Sequence, residues 1–129
     1  MRMRGIPGLT SLALALQATT AAAYGLGVDE RIAAVYDHEI AIQALEKKHN
    51  VAFFAIDGAL SPRTRYAIEA IAESTFGVDK GSSRVSVETA TLSFTFDPQR
   101  VALGAIQRIL DERLAGIRLS LLPMRIIDA

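Results

Sequence analysis

Residues 51–74 read VAFFAIDGALSPRTRYAIEAIAES, and the pattern changes character once along this stretch. Residues 51–56 (VAFFAI) are short, apolar and aromatic, and Asp57-Gly58 bounds them, as expected of a buried strand. From Ser61 onward the apolar positions Ala67, Ile68, Ile71 and Ala72 recur at helical spacing. Ser61 followed by Pro62 suits a helix start. The serine hydroxyl can accept from an orphan backbone N–H, and proline at the first helical position needs no acceptor for an N–H it lacks. The stretch therefore predicts a strand, a tight Asp-Gly turn and an amphipathic helix over residues 61–74. Gly77, just beyond, suits a left-handed helix ending.

Working outward, residues 85–96 (VSVETATLSFTF) alternate. Val85 and Val87 share one direction with Leu92, Phe94 and Phe96, while Ser, Glu and Thr take the other. This predicts a hairpin with one buried and one wet face, turning near Thr89-Ala90. Asp97-Pro98 reads as an N-cap and first helical residue, opening a helix with Val101, Ala105, Ile106, Ile109, Leu110 and Leu114 on its apolar face. Gly116 is expected to end it. Residues 117–122 (IRLSLL) alternate again and stop at Pro123, and residues 124–129 add a short edge strand. The order strand–helix–strand–strand–helix–strand predicts an α+β, ferredoxin-like βαββαβ sandwich over residues 51–129, with two helices on one face of a four-stranded antiparallel sheet.

Two regions precede that domain. Residues 29–50 (DERIAAVYDHEIAIQALEKKHN) read as one amphipathic helix of about five turns. Asp29 is its N-cap, Ile32, Val35, Tyr36, Ile40 and Ala44 its apolar positions, Lys47 and Lys48 its last-turn cations and Asn50 its end. The alternation of Ile40 and Ile42 leaves a short strand over residues 39–45 as the alternative. Residues 1–28 hold a basic start (MRMR), a short apolar run (LTSLALALQA, residues 9–18) and three consecutive alanines at 21–23. That order describes a secretory leader cleaved near Ala23. The alternatives are a retained Ala-rich helix or a membrane anchor. The expected location is accordingly periplasmic, secreted or membrane-associated.

Composition narrows function by exclusion. Lys plus Arg and Asp plus Glu each number 14, so the net charge of +0 gives no pull towards nucleic acid. Weak charge repulsion is compatible with a homodimer or a bound protein partner. Cysteine is absent from the 129 residues, which removes thiolate metal sites, disulfides and cysteine nucleophiles. Asp57, Glu69 and Glu73 have no nucleophile or second acid placed with them, so catalysis is not expected, and no cofactor motif is present. His38 and His49 lie eleven residues apart, roughly 16 Å along a helix, too far to share one ion, and read as solvated.

With these residues in place, residues 51–119 resemble the heavy-metal-associated domain family. That family's pattern is a strand, a Gly-Met-x-Cys-x-x-Cys loop, a helix, a Gly-Val, a hairpin, a second helix and a last strand. Gly58 stands at the loop glycine and Ala59 where the methionine would be. Ile68, Glu69 and Ile71 match the first helix, Gly77-Val78 the Gly-Val, and residues 94–98 (FTFDP) the strand end before the second helix. Ser61 and Thr64 stand where the two cysteines would be. The resemblance implies the scaffold and a habit of docking on a partner, such as a metal-transporting P-type ATPase or another membrane protein, through the loop and first helix. It does not imply the family's metal, because neutral hydroxyls are poor ligands for a soft ion.

The candidate site is thus the loop Gly58, Ser61, Arg63, Thr64 and Arg65, with no metal and no catalytic residue assigned, in a non-catalytic interaction or accessory module. Two alternatives stay open. One is a regulatory domain sensing an anion at the helix start beside Arg63 and Arg65, or a small ligand at an interface of side-by-side sheets, with which Asp57-Gly58 is compatible. The other is a metal carrier using His and carboxylate ligands.

Overall fold

The computed structural model describes residues 27–129; the leader, anchor or helix expected over residues 1–23 lies outside them. The chain runs α1 (Val28–Val35), α2 (His38–Glu46), β1 (Asn50–Asp57), α3 (Pro62–Glu73), β2 (Arg84–Ser86), β3 (Thr91–Phe96), α4 (Leu103–Ala115) and β4 (Ser120–Ile127). The strands form one antiparallel sheet in the order β2-β3-β1-β4. From β1 onward this is the ferredoxin-like βαββαβ plan.

Strand alternation decides which side chains each layer receives. Ala52, Phe54 and Ile56 of β1 and Leu92, Phe94 and Phe96 of β3 point to the face covered by α3 and α4. There they pack with Ile68, Ala72, Ile106, Leu110 and Leu114 in the main core. Phe54 and Phe94 stack with ring centroids 5.6 Å apart. Val51 and Phe53 point the other way and meet Ile32, Val35, Ala41 and Ala44 of α1 and α2.

That second layer corrects two expectations. Residues 29–50 are not one helix. The chain breaks at Tyr36-Asp37, where the Asp37 carboxylate accepts from the backbone N–H groups of Glu39 and Ile40, both at 3.1 Å, and so starts a new helix. Gly27, not Asp29, is the N-cap of α1, and Asn50 opens β1 instead of ending a helix. The polar face of the hairpin is also not wet. Ser86, Thr91, Ser93 and Thr95 are buried because α1 and α2 lie over that face. Arg31 ties the layer down by donating from Nε to the Thr89 carbonyl at 2.9 Å and from Nη2 to the Ala90 carbonyl at 2.8 Å. Partial burial lowers the pKa of its guanidinium from the ordinary value.

Two further boundaries differ from the sequence reading. Asp97-Pro98 opens a single turn, not α4. The Asp97 side chain accepts from Gln99 N–H at 3.0 Å and its carbonyl from Val101 N–H at 3.1 Å, after which Ala102 is extended and becomes the N-cap of α4. α4 does end at Gly116, its C-cap, as expected; Gly116 is right-handed there, and the left-handed residue that follows is Arg118 (φ 62°). Pro123 does not stop the last strand. It sits within β4, an edge strand, beside a register shift opposite Phe53 and Phe54, where a missing N–H is tolerated. Gly77 does adopt a positive φ of 99°, as its place after α3 suggested.

Candidate functional site

The loop after β1 and the start of α3 form one pole of the sheet. Gly58 has φ 130°, and a Cβ there would meet a Leu119 methyl at 2.5 Å and the Arg118 carbonyl oxygen at 2.8 Å. Only glycine fits where β1 turns this close to the entry of β4. Ser61 is extended and caps α3, with Pro62 at its first position. The capping is reciprocal. Thr64 N–H donates to Ser61 Oγ at 3.3 Å, and Ser61 N–H donates to Thr64 Oγ1 at 2.7 Å. The Thr64 hydroxyl donates in turn to the Ser61 carbonyl at 2.9 Å. The two hydroxyl oxygens stand 3.4 Å apart. This is the S/T-x-x-E/Q capping box with threonine in the acceptor role, and it satisfies two orphan donors with two short side chains.

The same turn presents an outward face. Arg63, Arg65 and Tyr66 are exposed, Tyr66 to 69%. Arg65 Nε lies 3.6 Å from Glu69 Oε2 one turn on, and its guanidinium carbon sits 5.8 Å from the centre of the Tyr66 ring. Arg63 makes no ion pair among the described residues. All five candidate residues of the sequence reading therefore fall in one place. Gly58, Ser61 and Thr64 shape the turn, and Arg63 and Arg65 decorate its surface.

The opposite pole holds a cluster that sequence reasoning missed. Three residues beyond α2, His49 is delivered by a Schellman turn. Lys48 takes a left-handed φ of 64°, His49 N–H donates to the Ala44 carbonyl at 2.8 Å and Lys48 N–H to the Leu45 carbonyl at 3.0 Å. The ring then lies between two carboxylates. Nδ1 is 2.7 Å from Asp79 Oδ2 and Nε2 is 3.8 Å from Asp97 Oδ2. Thr95 Oγ1 donates to the same Asp79 oxygen at 2.6 Å, and Asp79 N–H donates to the Thr95 carbonyl at 2.9 Å. His49, Asp79 and Asp97 line an open cleft of about 580 Å³ with Glu73, Phe76, Lys80 and Arg100 among its other walls. Among the described residues, no group of three or more His, Cys, Asp or Glu side chains converges on one ion. The carboxylates approach opposite edges of the imidazole. His38, the other histidine of the sequence reading, is exposed beside Tyr36 and belongs to neither pole. The sequence signal for the cluster was slight: Asp79 and Asp97 lie 30 and 48 residues from His49, and Asp97 reads as a helix cap.

No family model matches the chain, and no curated protein matches it in sequence. Solved structures do match its fold. The N-terminal domain of a potential copper-translocating P-type ATPase from Bacillus subtilis, in its Cu(I)-loaded state, is 18% identical with a TM-score of 0.50, over 63% of this chain and 94% of that one. Oxidized MerP from Ralstonia metallidurans CH34 is 14% identical with a TM-score of 0.49, over 60% of this chain and 99% of that one. The yeast copper transporter domain CCC2A is 19% identical with a TM-score of 0.47, over 62% and 99%. The chain thus has an α+β, ferredoxin-like fold similar to that of heavy-metal-associated domains.

Proposed function

We propose that the chain is a non-catalytic interaction module on a heavy-metal-associated-type scaffold from which the loop thiolates are gone. The observation that carries this reading is the reciprocal cap between Ser61 and Thr64. The two side chains at the positions of a Cys-x-x-Cys pair are engaged with the helix start, and neither oxygen is a soft ligand. What the loop still offers a partner is a rigid first turn carrying Arg63, Arg65 and Tyr66. Arginine and tyrosine are the residue types that most often anchor protein interfaces, and Gly58 and the cap hold them in register. A membrane protein with an acidic docking surface, such as a metal-transporting P-type ATPase, suits that face.

The test is affinity isolation of the intact protein from native membrane and soluble fractions, beside an Arg63→Glu/Arg65→Glu variant. The reading expects a membrane protein held by the wild type and lost with the charge reversal, while a Lys80→Glu control at the opposite pole retains it. Equal retention by all three chains, or no membrane protein held by any, would overturn it.

A further inference from the structure

We propose that the cleft at the pole opposite the loop binds a small ammonium–carboxylate zwitterion with an apolar body, as a free amino acid is. Its carboxylate meets Arg100 and Lys80, its ammonium meets Asp97, and its apolar body lies against Phe76. This inference stands on that cleft and not on the docking reading.

Phe76 is out of place for its residue type. The chain has five phenylalanines, and Phe53, Phe54, Phe94 and Phe96 are buried. Phe76 is 63% exposed, although the Arg100 guanidinium lies over its ring. The turn that carries it is anchored on both sides. Thr75 is buried, and its hydroxyl donates to the Ile71 carbonyl at 2.7 Å and accepts from Arg113 Nη1 at 3.0 Å. Gly77 has φ 99°, and a Cβ there would meet Ile106 at 3.0 Å and Val101 at 3.1 Å. Val78 then pairs with Phe96 of β3. The ring is thus presented to the cleft by a fixed backbone and not by a loose loop.

The charges around the ring are held apart. Arg100 follows Asp97 by three residues in one turn, a spacing at which opposite charges can meet. They do not pair. The guanidinium carbon lies 5.4 Å from the centre of the Phe76 ring, while Asp97 Oδ2 faces His49 Nε2 at 3.8 Å, too long for a hydrogen bond. Lys80 is exposed on the same cleft, and neither its side chain nor that of Arg100 has a hydrogen bond or an ion pair among the described residues. The other carboxylates are taken. Glu73 accepts from the N–H groups of Gly81 at 2.6 Å and Ser83 at 2.9 Å, and Asp79 accepts the Thr95 hydroxyl at 2.6 Å beside His49. What stays open around the exposed ring is one carboxylate oxygen and two cations.

A ligand of one sign answers only part of this set. A bare anion sits against Asp97, and a bare amine against Arg100 and Lys80. A zwitterion satisfies both, with the carboxylate taken by charge-assisted hydrogen bonds from the guanidinium. Its apolar body removes exposed area of Phe76 from water. The volume of about 580 Å³ lies within the roughly 300–1,000 Å³ of small-molecule sites. The cleft is open, which suits a ligand held weakly and exchanged freely.

The experiment is a titration of L-phenylalanine into the untagged full chain, read by the NMR shifts of the Phe76 ring, with Tyr66 at the far pole as the internal control. Hydrocinnamate, which lacks the ammonium, and phenethylamine, which lacks the carboxylate, are titrated beside it. The proposal expects saturable shifts at Phe76 and none at Tyr66, with each analogue about tenfold or more weaker than the amino acid. Arg100→Gln should weaken the amino acid and hydrocinnamate but not phenethylamine. Asp97→Asn should weaken the amino acid and phenethylamine but not hydrocinnamate, and Ser61→Ala should change nothing. No saturable shift at Phe76, an analogue that binds as tightly as the amino acid, or an Arg100→Gln chain with wild-type affinity would overturn the assignment.

Discussion

The two ends of β1 differ in what their polar side chains are doing. At the Gly58–Arg65 end, the polar atoms inside the turn are engaged with one another. Ser61 and Thr64 cap each other and α3, leaving only the outward arginines and Tyr66 for a second molecule. At the His49 end, one ring nitrogen is held by Asp79 while the other faces Asp97 at a distance too long to bond. Residues become structural when local backbone donors and acceptors saturate them, and remain available for chemistry when they do not.

Substitutions can break or sharpen this contrast, from the largest expected effect to the smallest. Gly58→Val forces a Cβ against Leu119 and the Arg118 carbonyl and imposes a positive φ on a branched residue. It should cost about 2–4 kcal/mol in denaturant unfolding and disorder the loop end only through the fold. Asp79→Ala leaves the His49 Nδ1–H and the Thr95 hydroxyl without their acceptor and should cost about 1–2 kcal/mol. Ser61→Ala removes one acceptor of the capping box and should cost about 1 kcal/mol, with the fraying of the first turn of α3 visible by hydrogen exchange at Thr64. Arg63→Ala should fall within about 0.5 kcal/mol of the wild type, because that side chain is exposed and unpaired among the described residues. A loss at Arg63 as large as at Ser61 would place it in the structural group and remove it from the surface offered to a partner.

Much of this was legible in the amino-acid order. The period change between Phe54 and Ile68 marks strand and helix, and the alternation Leu92, Phe94, Phe96 marks β3, because burial on one face leaves a local signature. The Ser61-Pro62 start was legible because capping involves only neighbours. Asp97-Pro98 has the same local signature and opens a single turn, since the extended Ala102 interrupts it before α4 begins. Local chemistry proposes a helix start at both, and packing realises it at one. The buried hydroxyl face of Thr91, Ser93 and Thr95 was not legible. Its cover comes from α1 and α2, joined to it through contacts such as Arg31 to Thr89, 58 residues apart. The His49 cluster was hidden for the same reason, as its members meet only when β1, β3 and the loop after α3 come together.

In the proposed reading, the loop pole carries a helix cap at the positions where heavy-metal-associated domains carry a thiolate pair. The most direct measurement is competition for Cu(I) against a chromophoric chelator, comparing the wild type with a Ser61→Cys/Thr64→Cys chain. The two hydroxyls are 3.4 Å apart, so thiolates placed there face one another. The account predicts that the double variant withdraws one Cu(I) per chain and the wild type withdraws none. A wild-type chain that takes Cu(I) as well as the cysteine variant, or a folded cysteine variant that takes none, would contradict it.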